Sequence, residues 1–281
     1  MSATRTKKPK EPATPKEPKA PGRYAQLIDK LFFDRYVAGA TALEFSRDDI
    51  KANADELKIK LPDNVGDLPY YYRFRHKLPK KILATQPDER EWVIQLAGRS
   101  RYRFRLAKAN RIVPNPSLAT IKIPDSTPEI IARYRLDDEQ ALLAKVRYNR
   151  LIDIFLGLTT YSLQNHLRTT VEELGQIEID ELYVGLDKHG CHYVIPVQAK
   201  GKKDQISIVQ TEQDTKYCEG KFPTLRCRAI SAQFVSHDQI ALFELRIEDA
   251  ELLELKIVEE KHYKLVPSTE LDDQEISDYR T

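Results

Sequence analysis

Asp180, Gln198 and Lys200 are the side chains of this sequence whose types and spacing best suit joint chemistry. Gln198 and Lys200 close the stretch YVIPVQAK, whose apolar residues read as a buried strand turning polar at its end. Upstream, QIEIDELYVGLD reads as a second strand, and the Lys188-His189-Gly190 turn joins the two into a hairpin. In an antiparallel pair, residues equidistant from the centre of the turn face each other. With His189 at the centre, Asp180 faces Gln198 and Glu178 faces Lys200. Alternation puts Gln176, Glu178 and Asp180 on one face of the first strand and Ile177 and Ile179 on the other. Two carboxylates, an amide and an ammonium then share one patch, and a one-residue slip would scatter them.

Neighbouring carboxylates repel unless a cation lies between them. Oxygen donors from Asp180, Glu178, the Gln198 amide and the Ala199 carbonyl suit Mg²⁺, which keeps waters and takes phosphate oxygens as further ligands. Mn²⁺ accepts the same donors. A lysine beside such an ion polarises water or stabilises charge developing on phosphorus. These parts suit phosphodiester hydrolysis. The competing reading is a solvated stripe with cross-strand Glu–Lys pairing. Gln-x-Lys alone favours that reading; the matched carboxylates and a helix on each side favour the site.

The elements that must position this patch follow from the flanking sequence. Asp137 stands as N-cap of a helix, LDDEQALLAKVRYNRLIDIFLG, and Thr160–Glu173 reads as another. After the hairpin, DQISIVQTEQDTKYC reads as a helix from about Asp204. Its Gln210 and Gln213 could line the same cleft, although exposed glutamines are the commoner case. LRCRAISAQF, QIALFELRI and LLELKIVEEKHYKLV read as strands, and the acidic STELDDQEISDY as a frayed end.

Helix, strand with Asp, hairpin turn, strand ending in Gln-x-Lys, then helix: this order over about Leu142–Phe234 resembles the PD-(D/E)XK nuclease superfamily. Val197-Gln198-Ala199-Lys200 is similar to the Q-x-K variant of Mrr-like restriction endonucleases. The resemblance implies an α/β (α+β) domain, a restriction-endonuclease-like mixed sheet flanked by helices. It implies that Asp180 is the principal metal ligand, that Gln198 stands at the second acidic ligand's place, and that Lys200 is the catalytic lysine. Glu173, or Glu172, would match the acid on the preceding helix, and Glu178 would compensate for Gln198. The chain departs from the pattern in having no proline before Asp180 and glutamine in place of the acid.

The first half has a different texture. Residues 1–23 are rich in Lys and Pro and read as a disordered tail. AQLIDKLFFDRYV has helical spacing, and FSRDDIKANADEL opens a helix with Ser46 and Asp49 as a capping box. A short helix near Asn64–Asp67 leads into Tyr70, Tyr71, Tyr72, Arg73, Arg75, His76 and Lys77. EWVIQLAGRSRYRFRLAK reads as a hairpin around Gly98-Arg99-Ser100, with Tyr102, Phe104 and Leu106 on one face and Arg101, Arg103 and Arg105 on the other. That order is the order of a winged helix-turn-helix. Between Tyr70 and Arg111 twelve basic side chains stand against three acidic, in a chain of net charge only +2. Such a local excess reads as a phosphate-contacting surface rather than a merely solvated face. Tyr71, Tyr72, Arg73, Arg75, His76, Lys77, Arg99, Arg101, Arg103 and Arg105 are the candidate DNA contacts. His166 and Arg168, just before the acidic segment, could touch the backbone near the cut. Residues 24–112 form the recognition domain on this reading, 113–136 a linker or domain edge, and 137–281 the nuclease domain.

Three cysteines with no C-x-x-C pair argue against a disulfide framework or zinc ribbon and fit a reducing, cytoplasmic setting. His189 and His192 flank a turn and read as solvated. No apolar run reaches the length of a membrane helix. The expected function is a Mg²⁺-dependent, site-specific endodeoxyribonuclease acting on double-stranded DNA. By analogy with restriction enzymes it would be a homodimer with a partner methyltransferase. The alternatives are a repair or recombination nuclease acting on branched DNA, and a DNA-binding regulator on an inactive core.

Overall fold

The computed structural model describes residues 22–74, 76–108, 112–134, 139–171, 175–202, 204–249 and 253–279. Most of the tail, Arg75, Arg111, Asp137, Glu172 and Glu173 lie outside them.

The first half runs α1 (Arg23–Phe33), β1 (Ala42–Ser46), α2 (Arg47–Glu56), α3 (Asp67–Phe74), α4 (Lys80–Leu83), β2 (Arg90–Leu96) and β3 (Arg101–Lys108). Ser46 and Asp49 form the expected capping box, each side chain accepting the other's backbone N–H. The three strands make an antiparallel sheet in the order β1-β3-β2. Its apolar face carries Tyr102, Phe104 and Leu106, all buried, against Leu27, Ile28, Leu31 and Phe32 of α1. Phe32 meets Trp92 and Phe104 edge-on, with ring centroids 5.1 and 5.2 Å apart. Large aromatic rings are what give so small a unit a core.

The second half is built on a mixed sheet. Its strands are β4 (Thr120–Pro124), β5 (Thr159–Val171), β6 (Gly175–Leu186), β7 (His192–Lys200), β8 (Arg226–Cys227), β9 (Ala229–Phe234), β10 (Gln239–Asp249) and β11 (Glu254–Val266). The order is β4-β11-β10-β9-β7-β6-β5, with β8 beside β7. β4 on β11, β9 on β7 and β8 on β7 are parallel; the other pairs are antiparallel. One face packs α6 (Glu139–Tyr148) and α7 (Leu151–Leu156) against Ile195, Val197, Ala199, Ile230 and Ala232. The other receives α8 (Ile208–Lys221). The chain is thus a mixed α/β structure, and no helix of its described residues is long and apolar enough to cross a membrane.

Several local expectations are corrected. Thr159–Val171 is a strand, not a helix. Leu163 and Leu167 have helical spacing, but only Leu167 is buried, and Thr159, Thr160, Tyr161, Thr169, Thr170 and Val171 favour a pleated surface. The long helix before it is two, because Arg150 takes a left-handed conformation at φ 50° and breaks the run. The supposed linker holds β4 and a short α5 (Glu129–Tyr134). The acidic end is not frayed over its described part: Asp272 caps α9 (Asp273–Asp278), Glu275 pairs with Lys122 at 2.6 Å, and Lys122 N donates to the Tyr279 hydroxyl.

The hairpin's centre is as the sequence implies, but the ladder does not reach the expected Asp180–Gln198 and Glu178–Lys200 pairs. Glu181 pairs with Val197 and Leu186 with His192, so His189 lies at the centre. The turn sets this. Asp187 Oδ1 accepts from His189 N at 2.8 Å and Cys191 N at 3.0 Å, while Gly190 adopts φ +80°. A Cβ at Gly190 would meet no neighbour, so the cost of a side chain there is conformational alone. Gly190→Ala is expected to lose about 1 kcal/mol in urea unfolding without changing the folded chain's circular dichroism. A neutral result would show that Asp187 alone fixes the turn.

Candidate functional site

The β6–β7 ladder stops at Glu181–Val197, and below that point β7 pairs on its other side with β9, from Val197–Ile230 to Lys200–Gln233. Asp180 stands just past the last rung. Its Oδ2 accepts from Ala199 N at 2.8 Å, so a side chain holds the β7 backbone where the ladder has ended. Burial pushes the Asp180 carboxyl above its ordinary value, and the Ala199 amide and Lys200 ammonium oppose that.

Gln198 and Lys200 both face α8. Gln198 Nε2 donates to Asp214 Oδ2 at 2.7 Å, and Lys200 Nζ donates to Gln210 Oε1 at 3.0 Å. Ser207 caps α8 and sets the helix's rotation, so Gln210, Gln213 and Asp214 fall on the inward face. Gln213 is buried and Gln210 half-buried; the two glutamines are not a solvated helix face. Ser231 and Gln233 continue the polar layer on β9 opposite Gln198 and Lys200. Gln233 Nε2 donates to the carbonyls of Gly201 and Asp204, which pins the loop between β7 and α8.

Asp214 is the residue the sequence did not mark. It lies within the segment read simply as a helix from about Asp204. Here it is fully buried, and burial first, then the Asp180 charge, pushes its carboxyl up to about 8 from an ordinary 3.8. The Gln198 amide and Lys200 oppose the shift. Asp214 Oδ1, Gln198 Oε1, Gln213 Nε2 and Ser231 Oγ are buried with no hydrogen-bond partner. Unsatisfied buried groups are costly, so their concentration in one layer marks a place where packing was not the sole constraint.

Glu178 is placed differently from expectation. It accepts from Arg168 Nη2 at 3.0 Å and lies 3.2 Å from His166 Nε2, both on the exposed surface of β5. The expected metal ligand and the expected DNA-contacting arginine therefore engage each other. Among the described residues no three His, Cys, Asp or Glu side chains are grouped to hold a metal ion. The donors that do fit a hard cation are the Asp180 carboxylate and the unpartnered Gln198 amide oxygen, an oxygen set with water making up the rest. Ala199 meets Asp180 through its amide, not its carbonyl.

The basic surface is also redistributed. Arg73 Nη2 donates to Gln213 Oε1 at 3.1 Å, and burial lowers its guanidinium to about 10. Arg105, with a side chain only 17% exposed, lies 3.9 Å from Glu212 of α8. Gln95 Nε2 also donates to Glu212. Arg101 and Arg103 pair with Glu44 on β1 at 3.1 and 2.5 Å. Tyr71 stacks on His76 with centroids 4.0 Å apart, and Tyr72 is half-buried, where burial raises its hydroxyl. Of the described basic side chains between Tyr70 and Lys108, Lys77, Lys80, Lys81, Arg99, Arg101 and Lys108 are exposed, beside exposed His76.

No protein-family model, curated protein or solved structure matches the chain.

With a raised carboxyl, the folded chain keeps a proton that the unfolded chain releases near pH 4. The stability from Asp214 is then fully present below that pH and is lost as pH rises through about 8. In EDTA, wild-type unfolding free energy should fall from pH 5 to pH 8 relative to Asp214→Asn, by at most about 1.4 kcal/mol per pH unit. Parallel urea-denaturation profiles for the two proteins would show that the carboxyl ionises normally.

Proposed function

We propose that this chain is a metal-dependent endodeoxyribonuclease, with β5–β7, α8 and β9 as a PD-(D/E)XK-like core and residues 22–108 as a winged-helix DNA-binding unit. The observation that carries the reading is the Asp180 carboxylate bonded to the Ala199 amide, between Gln198 and Lys200, where the β6–β7 ladder ends. The α8 crossover, with β9 laid parallel to β7 beyond it, supports it further. For the first half, the support is the α1-β1-α2-α3-α4-β2-β3 order with β3 central.

Asp180 and the Gln198 amide oxygen are the residues that would hold Mg²⁺. The chemistry such an ion supplies is polarisation of a phosphoryl oxygen and activation of water. Lys200, on the same face of β7 as Gln198, stabilises the negative charge that develops on phosphorus. Its hydrogen bond to the neutral Gln210 leaves the full positive charge for that task. DNA phosphates would meet the exposed Lys77, Lys80, Lys81 and Arg99, while Arg73 and Arg105 are committed to α8.

Purified protein with unmethylated plasmid and phage DNA tests this directly. With Mg²⁺ it should give discrete fragments, lost in EDTA and in Asp180→Ala and Lys200→Ala. Lys80→Ala/Lys81→Ala should weaken binding about equally on all sequences and flatten the salt dependence by about one unit per cation lost. Cleavage confined to branched DNA would make it a junction nuclease. Salt-dependent binding with no cleavage of any substrate would leave a regulator, the reading that Gln198 and the engaged Glu178 favour.

A further inference from the structure

The helix that faces β7 carries a thiol that the candidate site does not use. Cys218 lies one turn beyond Asp214 on α8 and is fully buried, in a cluster with Leu167, Ile179, Leu182 and Val194. Cys227, on β8, is half-buried and packs against the same cluster. Strand register brings the two together. β8 runs parallel to β7 with Cys227 beside Val194, and residues in register across a ladder point to one face. Val194 shares its face with Gln198 and Lys200, the face that α8 covers. The connection from helix to strand is tight. Phe222 N donates to the Cys218 carbonyl at 2.8 Å, and Leu225 N donates to the Phe222 carbonyl at 2.9 Å. Both cysteines are free thiols. The neighbouring Cys227 thiol, then burial, raises the Cys218 thiol above its ordinary value. Nine residues separate the pair, so no short motif marks it. Cys191 stands in the β6–β7 turn, roughly 10 Å along the strand from Val194.

We propose that Cys218 and Cys227 form a redox modification site, a dithiol that a hydroperoxide converts to a disulfide tying the end of α8 to β8. Such a site stands whether or not the chain cuts DNA. Cys227, the thiol that solvent reaches, attacks the peroxide; the O–O bond breaks, water leaves, and Cys227 becomes a sulfenic acid. The Cys218 sulfur then attacks the Cys227 sulfur. The S–O bond breaks, and the departing hydroxide takes the Cys218 proton as a second water. Two thiols give up two electrons and two protons, and the peroxide takes up both. A small dithiol reverses the change by exchange. The raised Cys218 thiol suits the second role, because a protonated, buried thiol is inert toward peroxide in solution.

Full-length Cys191→Ser protein, treated with a few equivalents of hydrogen peroxide, alkylated in urea and weighed intact, tests the pairing. The expected result is a loss of two hydrogens, no alkylation, and a peptide joining Cys218 to Cys227. The thermal midpoint should rise by about 5 °C, and dithiothreitol should reverse every change. In the same background Cys227→Ser should leave Cys218 fully alkylated after peroxide. Cys218→Ala should leave Cys227 as a sulfenic acid that dimedone traps. Two alkylated thiols after peroxide, or Cys227 carried to sulfinic acid with Cys218 unlinked, would overturn the proposal. A link that forms only when urea precedes the peroxide would overturn it too, as would a Cys191–Cys227 link in place of Cys218–Cys227 in the wild type.

Discussion

The place where the β6–β7 ladder ends governs the rest of the candidate site. Above Glu181–Val197 the two strands bind each other through their backbones, and the side chains merely pack. Below it β7 has β9 for a neighbour, and Asp180 reaches across to the Ala199 amide. That one carboxylate fixes the two strands relative to each other where regular pairing no longer does. Gln198 and Lys200, which flank Ala199, are placed by the ladder to β9. Strand alternation then turns both toward α8, and the Ser207 cap turns Gln210, Gln213 and Asp214 to meet them.

The same helix joins the two halves of the chain. Glu212 is a buried carboxylate that receives Gln95 and lies near Arg105, both from the three-stranded sheet, and Lys216 of α8 itself donates to it at 2.7 Å. Arg73 of α3 reaches Gln213, next to Asp214. Buried groups of this type are strongly destabilising when one partner is removed, so they specify a relative placement more than they add net stability. The residues that hold the first half on α8 and those that face β7 are neighbours on one short helix face. The winged-helix reading gains a constraint from this: part of its expected DNA-binding arginine set is spent inside the protein.

The sequence revealed what depends on local chemistry. The hairpin could be centred because Asp187, His189 and Gly190 form a turn that fixes register by itself. The Ser46–Asp49 box is likewise closed within four residues. What was hidden depends on partners far along the chain. Asp214 carried no signal and Gln213 an ambiguous one, because their neighbours, Gln198 and Arg73, are 16 and 140 residues away. Glu178 read as a partner of Lys200 and a metal ligand because the strand carrying Arg168 and His166 read as a helix. The arginine stripe of β3 was correct in its alternation, yet alternation does not say whether a face meets water, Glu44 or α8.

The outermost strand, β5, carries a consequence for how such a sheet stays apart from others like it. It spans thirteen residues at the sheet's edge, enough to template a foreign strand. Its pairing with β6 is irregular between Ser162 and Gln164, and His166 sits at φ 51°. Each irregularity bends the outer edge and takes N–H and C=O groups out of line. The long rim is thereby cut into short segments, too brief for continuous edge-to-edge zipping. Kinks that look like defects in the ladder shorten its regular edge.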